Sequence, residues 1–230
     1  LQVKLEYIFT FMANHIAMMK FVLLPFLVLF AVLLQAQQDS TKKFLIDGEF
    51  RPRFEFRKGY RTLPTSGDLP AYFVSGRTRL NFTYQERRAA FYASIQDVRV
   101  WGENGNSPSG SLGIFEAYAS FQAGKNWWIK LGRQSVELDN GRLFARANWN
   151  QYSRAHDGIR INHQAGKIRQ SILFFYNQNN AALFGTDYPL NHYKYLAVHY
   201  FTYQPSKNWT IKTLNTFDGY QAAGTTNTVY

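Results

Sequence analysis

The 230-residue chain contains no cysteine, which excludes disulfides, thiolate metal sites and a cysteine nucleophile. Its net charge of +11 points to an anionic partner, yet the basic residues are dispersed and form no run, which together with the export signal below argues against nucleic acid. Aromatic residues make up 17% of the chain, more than a soluble core of this size needs and in keeping with the aromatic girdles of membrane-spanning barrels.

Met18-Met19-Lys20 reads as a better start than Leu1, so residues 1–17 are expected to lie upstream of the true start. The apolar run Phe21 to Leu34 and the small residue Ala36 then predict a signal peptide over residues 18–36. The run is shorter than the ~20 residues of a spanning helix and contains Pro25, which argues against an anchor. The mature chain, from about Gln37, is expected to be exported.

After a polar leader the chain reads as strands. In "GEFRPRFEFRKGY", Phe50, Pro52, Phe54 and Phe56 alternate with Glu49, Arg51, Arg53, Glu55 and Arg57, which predicts a strand with one apolar and one charged face. A Gly/Pro loop leads to a second strand, "AYFVSGRTRLNFTYQ", with Tyr72, Val74, Leu80, Phe82 and Tyr84 opposite Arg77, Arg79, Asn81 and Gln85. After the turn "ERR", the third strand puts Phe91, Ala93 and Ile95 on the apolar face. A slip near Gln96-Asp97 then moves Val98 and Val100 onto that face and Arg99 to the other, as a bulge would. The fourth strand sets Phe115, Ala117, Ala119 and Phe121 against Glu116, Tyr118 and Ser120. The fifth sets Trp127, Ile129 and Leu131 against Trp128, Lys130 and Gln134. A long irregular stretch, 135–156, precedes a sixth strand with Ile159 and Ile161 opposite Arg160 and Asn162. The seventh, "IRQSILFFYNQ", and eighth, "YKYLAVHYFTYQ", are ambiguous in phase. A ninth, "WTIKTLNTFDG", follows, and the tail reads as loop.

Short turns and long loops alternate through all nine strands, which is the pattern of a transmembrane β-barrel. The expected fold is therefore all-β and antiparallel, with the apolar face toward lipid and the charged face toward a lumen. The competing fold, a secreted β-sandwich or jelly roll that binds carbohydrate, would hide the apolar face in a core. The expected lumen face carries Glu49, Arg51, Arg53, Glu55, Arg57, Arg77, Arg79, Arg99, Glu116 and Lys130. Rings of Arg and Lys in a pore favour anions, and guanidinium forks match carboxylates. The same charges could equally form a hydrated wall that pairs across strands. The 135–156 stretch, with Arg142, Arg146 and Arg154, either folds into the lumen and narrows it or stays outside as an external loop. No histidine spacing suits a metal, no serine sits in a G-x-S-x-G motif and no phosphate-binding loop is present, so neither an enzyme nor a cofactor is expected.

The segments "GEFRPRFEFR", "RTRLNFTY", "ASIQDVRVWG", "EAYASF", "LGRQSVELDNGR" and "NWNQYSRAHDGIRI", in this order, resemble the alginate export family of outer-membrane porins, most closely in its Bacteroidetes-type form. The resemblance covers residues 44 to 162 and weakens beyond. It implies an 18-stranded barrel in the outer membrane of a Gram-negative bacterium, with an arginine-rich pore for an anionic uronate polysaccharide. The alternative within the same fold is a general porin without a preferred sugar. The expected partners are the outer-membrane bilayer and the anionic saccharide. By the resemblance, Arg77, Arg79, Arg99, Arg133 and Arg160 match basic or polar positions that face the pore. Arg133 does so only if the phase slips at Gly132, since its parity is that of the apolar side. Nine strands are half of such a barrel, so residues 37–230 are expected to be the N-terminal portion of a longer barrel domain.

The turn lengths also predict sidedness. A cysteine at Ser109, in a long loop, should react with an impermeant thiol reagent on intact cells, and one at Asn126, in a short turn, should not. Reaction at Asn126 alone would invert the topology.

Overall fold

The computed structural model describes residues 43–105, 112–223 and 228–229. The expected signal peptide and upstream segment lie outside the described residues, as do 106–111 of the loop that holds Ser109. Ten antiparallel strands form one sheet in chain order: β1 (Lys43–Arg57), β2 (Ala71–Gln85), β3 (Ala89–Val100), β4 (Leu112–Gly124), β5 (Trp127–Gln134), β6 (His156–Ala165), β7 (Ile168–Tyr176), β8 (Tyr193–Ser206), β9 (Trp209–Gln221) and β10 (Thr228–Val229). Among the described residues there is no helix, and β1 makes no contact with β9 or β10, so the sheet is open. The tail is not all loop: β9 runs to Gln221, and Thr228 and Val229 return to pair with Gln221 and Tyr220.

Register assigns the faces. Phe54 pairs with Val74, Leu80 with Ile95, Phe121 with Ile129, Ile129 with Ile161, and Ile161 with Ile172, so one apolar face runs unbroken from β1 to β7. It continues through Ala197 of β8 to Phe217 of β9. Large side chains on it are open to the surroundings: Phe50 is 68% exposed, Phe54 67% and Phe56 58%. Among the described residues no second layer covers this outer face. Aromatic rings gather near both of its ends, with Phe56, Tyr72 and Phe217 toward the long loops and Phe91, Phe121, Trp127 and Trp209 toward the short turns.

The inner face has a core. Leu173 and Phe175 of β7 and Leu196 and Val198 of β8 are buried with Val136 and Leu138 from the start of the long β5–β6 loop. The odd residues of β7 and the even residues of β8 therefore point inward, which settles the two ambiguous strands.

Two readings of phase are corrected. The β2–β3 register is continuous from Ser75↔Val100 to Gln85↔Ala90, so no slip occurs at Gln96-Asp97. Val98 turns inward and is buried, and Arg99 turns outward. The irregularity lies instead between β3 and β4, where Ser94 pairs with Glu116 and Ile95 with Ile114. Phe115 is the extra residue of this bulge; it points inward and is buried, while Ile114 takes the outer position.

The exposed outer face generates a stability test. Phe54→Arg should cost about 2–4 kcal/mol of stability in lipid vesicles if this face meets hydrocarbon near the midplane. Denaturant titration of vesicle-bound protein against Phe54→Leu measures it. A face in contact with water would tolerate the arginine.

Candidate functional site

The charged inner face of β1–β4 lies under the β5–β6 loop. Two glycines mark where this loop leaves the sheet. Gly132 and Gly158 are cross-strand partners at the roots of β5 and β6, and Gly132 holds a left-handed φ of +116° where a Cβ would run into the Ala117 backbone. The fully buried Gln134 donates from Nε2 to the carbonyls of both glycines, at 3.3 Å each. The chain then crosses the core as Val136 and Leu138 and turns back over β1–β3 as residues 146–153.

Arginines on the sheet hold this returning segment. Arg51 donates to the Asn148 carbonyl at 2.5 Å and the Trp149 carbonyl at 3.0 Å, and Arg53 to the Trp149 carbonyl at 2.7 Å. Arg77 has a side chain with no exposure at all. Its guanidinium pairs with Glu49 and donates to Asn148 Oδ1 at 2.9 Å, Ser153 Oγ at 3.0 Å and the carbonyls of Asn150 and Gln151 at 3.2 and 3.3 Å. Gln96 Nε2 reaches the Tyr152 carbonyl at 3.2 Å, and Gln151 Nε2 donates to Ser75 Oγ at 2.9 Å. Ala147 sits at φ +51°, a left-handed turn unusual for alanine, and the arginine contacts hold the carbonyls that follow it.

The acids lock the cations in place. Glu55 accepts from Arg53 at 2.7 Å, Arg57 at 2.5 Å and Ser75 at 3.0 Å. Glu49 lies 3.7 Å from Arg79, whose Nε donates to Gln96 Oε1 at 2.9 Å. Glu116 accepts from the Ser135 amide at 2.7 Å and from Arg146 of the loop at 3.1 Å. Phe115, brought inward by the bulge, is the platform between them: Arg79 lies 3.8 Å and Arg146 5.0 Å from its ring centroid. The other end of the loop is tied by Lys212 to Asp139, and that hydrogen bond holds the Asp139 carboxyl below its ordinary pKa.

Glu49, Arg51, Arg53, Glu55, Arg77 and Arg79 therefore meet in one cluster, which Glu116 joins through Phe115 and Arg146. Lys130 and Arg160 share the inner face farther along. They are cross-strand partners; Lys130 Nζ lies 4.0 Å from the Tyr118 ring centroid, and Arg160 donates to Asn162 Oδ1 at 2.9 Å. Arg160 lines an inner-face cleft of about 840 Å³ with Trp128, Ser171, Thr202 and Lys212. Arg142 is exposed on the loop, with its backbone amide bonded to Asn140.

Two expected pore residues lie elsewhere. Arg99 is on the outer face, where its fork meets Asp97 at 2.6 and 2.7 Å. Arg133 is also on the outer face, 2.6 Å from Asp157, its cross-strand partner. Gly132 produces no change of phase, so Arg133 keeps the parity of Ile129 and Leu131. The sequence reading did not single out the carbonyls of 148–151, Gln96 or Trp128. A carbonyl carries no side-chain signature, so only the tertiary contact reveals it.

A single open sheet with one apolar and one charged face, crossed by a loop bonded to the charged side, is the setting for one comparison. A family model described as Alginate export matches residues 44–217. The chain belongs to the alginate export family. This is a family of β-barrel transport porins of the bacterial outer membrane. The match runs from β1 into β9 and so extends past residue 162, where the sequence resemblance weakened. No curated protein matches the chain significantly. In this alginate export protein, the arginines of β1 and β2 are largely engaged by the chain's own acids and loop.

Arg77→Ala should release that loop. It leaves the carbonyls of Asn150 and Gln151 without this donor and Glu49, which is partly exposed, with only Arg79 at 3.7 Å, so the cost should stay below the ~3–5 kcal/mol of a fully buried pair. Trypsin should then cut at Arg146 or Arg154 faster than in the wild type. Arg77→Lys, which keeps the charge and loses the fork, should fall between.

Proposed function

We propose that this chain forms part of the wall of an outer-membrane channel that carries an anionic, uronate-type polysaccharide. The observation that carries the reading is the division of the sheet: an uncovered apolar face with aromatic rings near both ends, and an inner face whose charged side chains are mostly basic. Lipid suits the first face and a hydrated lumen suits the second. A secreted carbohydrate-binding domain would need a second layer over Phe50, Phe54 and Phe56. The unpaired backbone groups along β1 and along β9 before Tyr220 are also intolerable in hydrocarbon, and further strands closing an 18-stranded barrel would satisfy them.

The inward loop changes which cations meet the solute. Arg77 and Arg79 are buried and act as anchors. The solute-facing set is then Arg160 and Lys130, with Arg53, Arg57, Arg146 and Arg154 at the loop's margin. Trp128 beside Arg160 suits a sugar acid, since an aromatic face can carry a pyranose ring while a guanidinium fork meets its carboxylate.

The test is ion selectivity of the full-length protein in planar bilayers. Replacing both Lys130 and Arg160 by Glu changes the local charge by about four units, because Arg and Lys are protonated and Glu is ionised at neutral pH. The reversal potential should move toward cation preference, most at 0.01 M salt where the Debye length is roughly 30 Å. An unchanged potential in an intact channel would leave a general porin without a preferred sugar.

A further inference from the structure

The four short turns follow one another along one edge of the sheet, and every one of them carries exposed positive charge. Arg87 and Arg88 stand between β2 and β3, Lys125 between β4 and β5, Lys167 between β6 and β7, and Lys207 between β8 and β9. Arg169 follows two residues after Lys167 and is also exposed. Arg87, Arg88, Lys125 and Lys207 form no ion pair among the described residues, and Lys167 bonds only the Pro205 carbonyl, at 2.6 Å. The one acid within these turns, Glu86, accepts from the Tyr84 hydroxyl. The long-loop end differs, for there Asp68, Glu103, Asp157, Asp187 and Asp218 mix with the cations.

We infer that this row of cations is the capture site for the anionic polysaccharide, which enters the channel from the short-turn side. The inference rests on the channel reading above and adds the side of entry. Successive turns are two strands apart, so neighbouring charges stand about 10 Å from one another, twice the strand spacing of ~4.8 Å. That is one Debye length at 0.1 M salt, and the fields of adjacent turns overlap. An acidic polymer, with a carboxylate on each sugar, can engage several turns at once, where a single small anion meets only one.

The clefts at this edge show which way the row works. A cleft of about 380 Å³ is bordered by Arg87, Arg88, Lys125 and Gln122, and Gln122 has the inner parity of Ser120 and Tyr118. Arg169 likewise has inner parity and lines the larger cleft that holds Arg160 and Trp128, where the loop's Glu137 and Asp139 also reach and Asp139 is taken up by Lys212. On the outer side, the same edge presents the neutral rings Phe91, Phe121, Trp127 and Trp209. The charges thus lead from the turns into the inner face, and the lipid-side positions are left to aromatic residues. Since short turns of outer-membrane barrels face the periplasm, the row stands where an exported polymer arrives.

The experiment adds an oligomannuronate to one side at a time of a planar bilayer holding the full-length protein and reads the rate at which it blocks the current. In the wild type, block from the short-turn side should be the faster and should fall with added salt more steeply than block from the long-loop side. In the variant Arg87→Gln, Arg88→Gln, Lys125→Gln and Lys207→Gln, the rate from the short-turn side should drop about tenfold or more at low salt, as loss of electrostatic steering requires. The rate from the long-loop side should not change. Arg87→Lys with Arg88→Lys should keep the wild-type rate. Equal block from both sides of the wild type, or an unaltered rate in the glutamine variant, overturns the capture site and leaves the channel reading standing. No block from either side overturns both. A glutamine variant that changes only association with phosphatidylglycerol vesicles makes the row a lipid contact and overturns the proposal. The wild-type salt dependence decides the matter even if the variant does not insert.

Discussion

A guanidinium with no exposure must find acceptors for its protons, and a loop that leaves a sheet must find donors for its carbonyls. Arg77 meets both needs through its two terminal nitrogens, between Glu49 on β1 and the side chains and carbonyls of residues 148–153, while its buried Nε has no partner among the described residues. Burying such a charge alone would cost several kcal/mol, and its set of acceptors is what offsets that. Carbonyls without a strand partner are costly in the same way. The arrangement also keeps Ala147 in a left-handed turn that would be unfavourable in a free chain by roughly 1–2 kcal/mol. Take away the fork, and residues 148–153 keep, among the described residues, only the bonds with Arg51, Arg53, Gln96 and Ser75 of the sheet.

Because the loop lies there, the inner face divides into three regions. Over β7 and β8 it is apolar, since Val136 and Leu138 bring hydrophobic surface down onto Leu173, Phe175, Leu196 and Val198. Over β1–β3 it is charged and closed, with the arginine forks spent on the loop. Toward the short turns it is polar and open, with Trp128, Arg160 and Arg169 around one cleft. The bulge at Phe115 joins the first two regions. An extra residue in β4 turns a ring inward, and that ring carries one guanidinium from the sheet and one from the loop. The chain belongs to a family of transport porins, and its inner face combines a loop-covered wall over β1–β3 with an open cleft where Arg160, Arg169 and Lys212 stand among Glu137 and Asp139.

The outer face is governed by a different rule. It needs no internal partners, only side chains that suit the surrounding medium, and among the described residues two ion pairs on it each join neighbours. Asp97 and Arg99 lie two residues apart on β3, and Arg133 and Asp157 face each other across β5 and β6. Both pairs sit toward the long-loop ends of their strands, where a charge costs least if the face meets lipid.

The sequence by itself determined nine of the ten strands, their order and the faces of β1, β2 and β6. Alternation reports the face wherever the two sides meet media of different polarity, and short turns force neighbouring strands to pair. It failed where that difference vanishes. Under the hydrophobic part of the loop both sides of β7 and β8 are apolar, so "SILFFY" carries no phase. Val98 is apolar on the inner side for the same kind of reason, being buried there, and it imitated a slip that the register does not contain. A one-residue bulge moved Phe115 across the sheet, which composition cannot announce, whereas the parity of Arg133 with Ile129 and Leu131 already put it on the outer side where the register places it. The course of the 135–156 loop was left open between lumen and exterior. Only the tertiary structure laid it on the charged face of the sheet, because that placement rests on hydrogen bonds between guanidinium groups and backbone carbonyls some 70 to 100 residues apart in the chain, and every residue has a carbonyl.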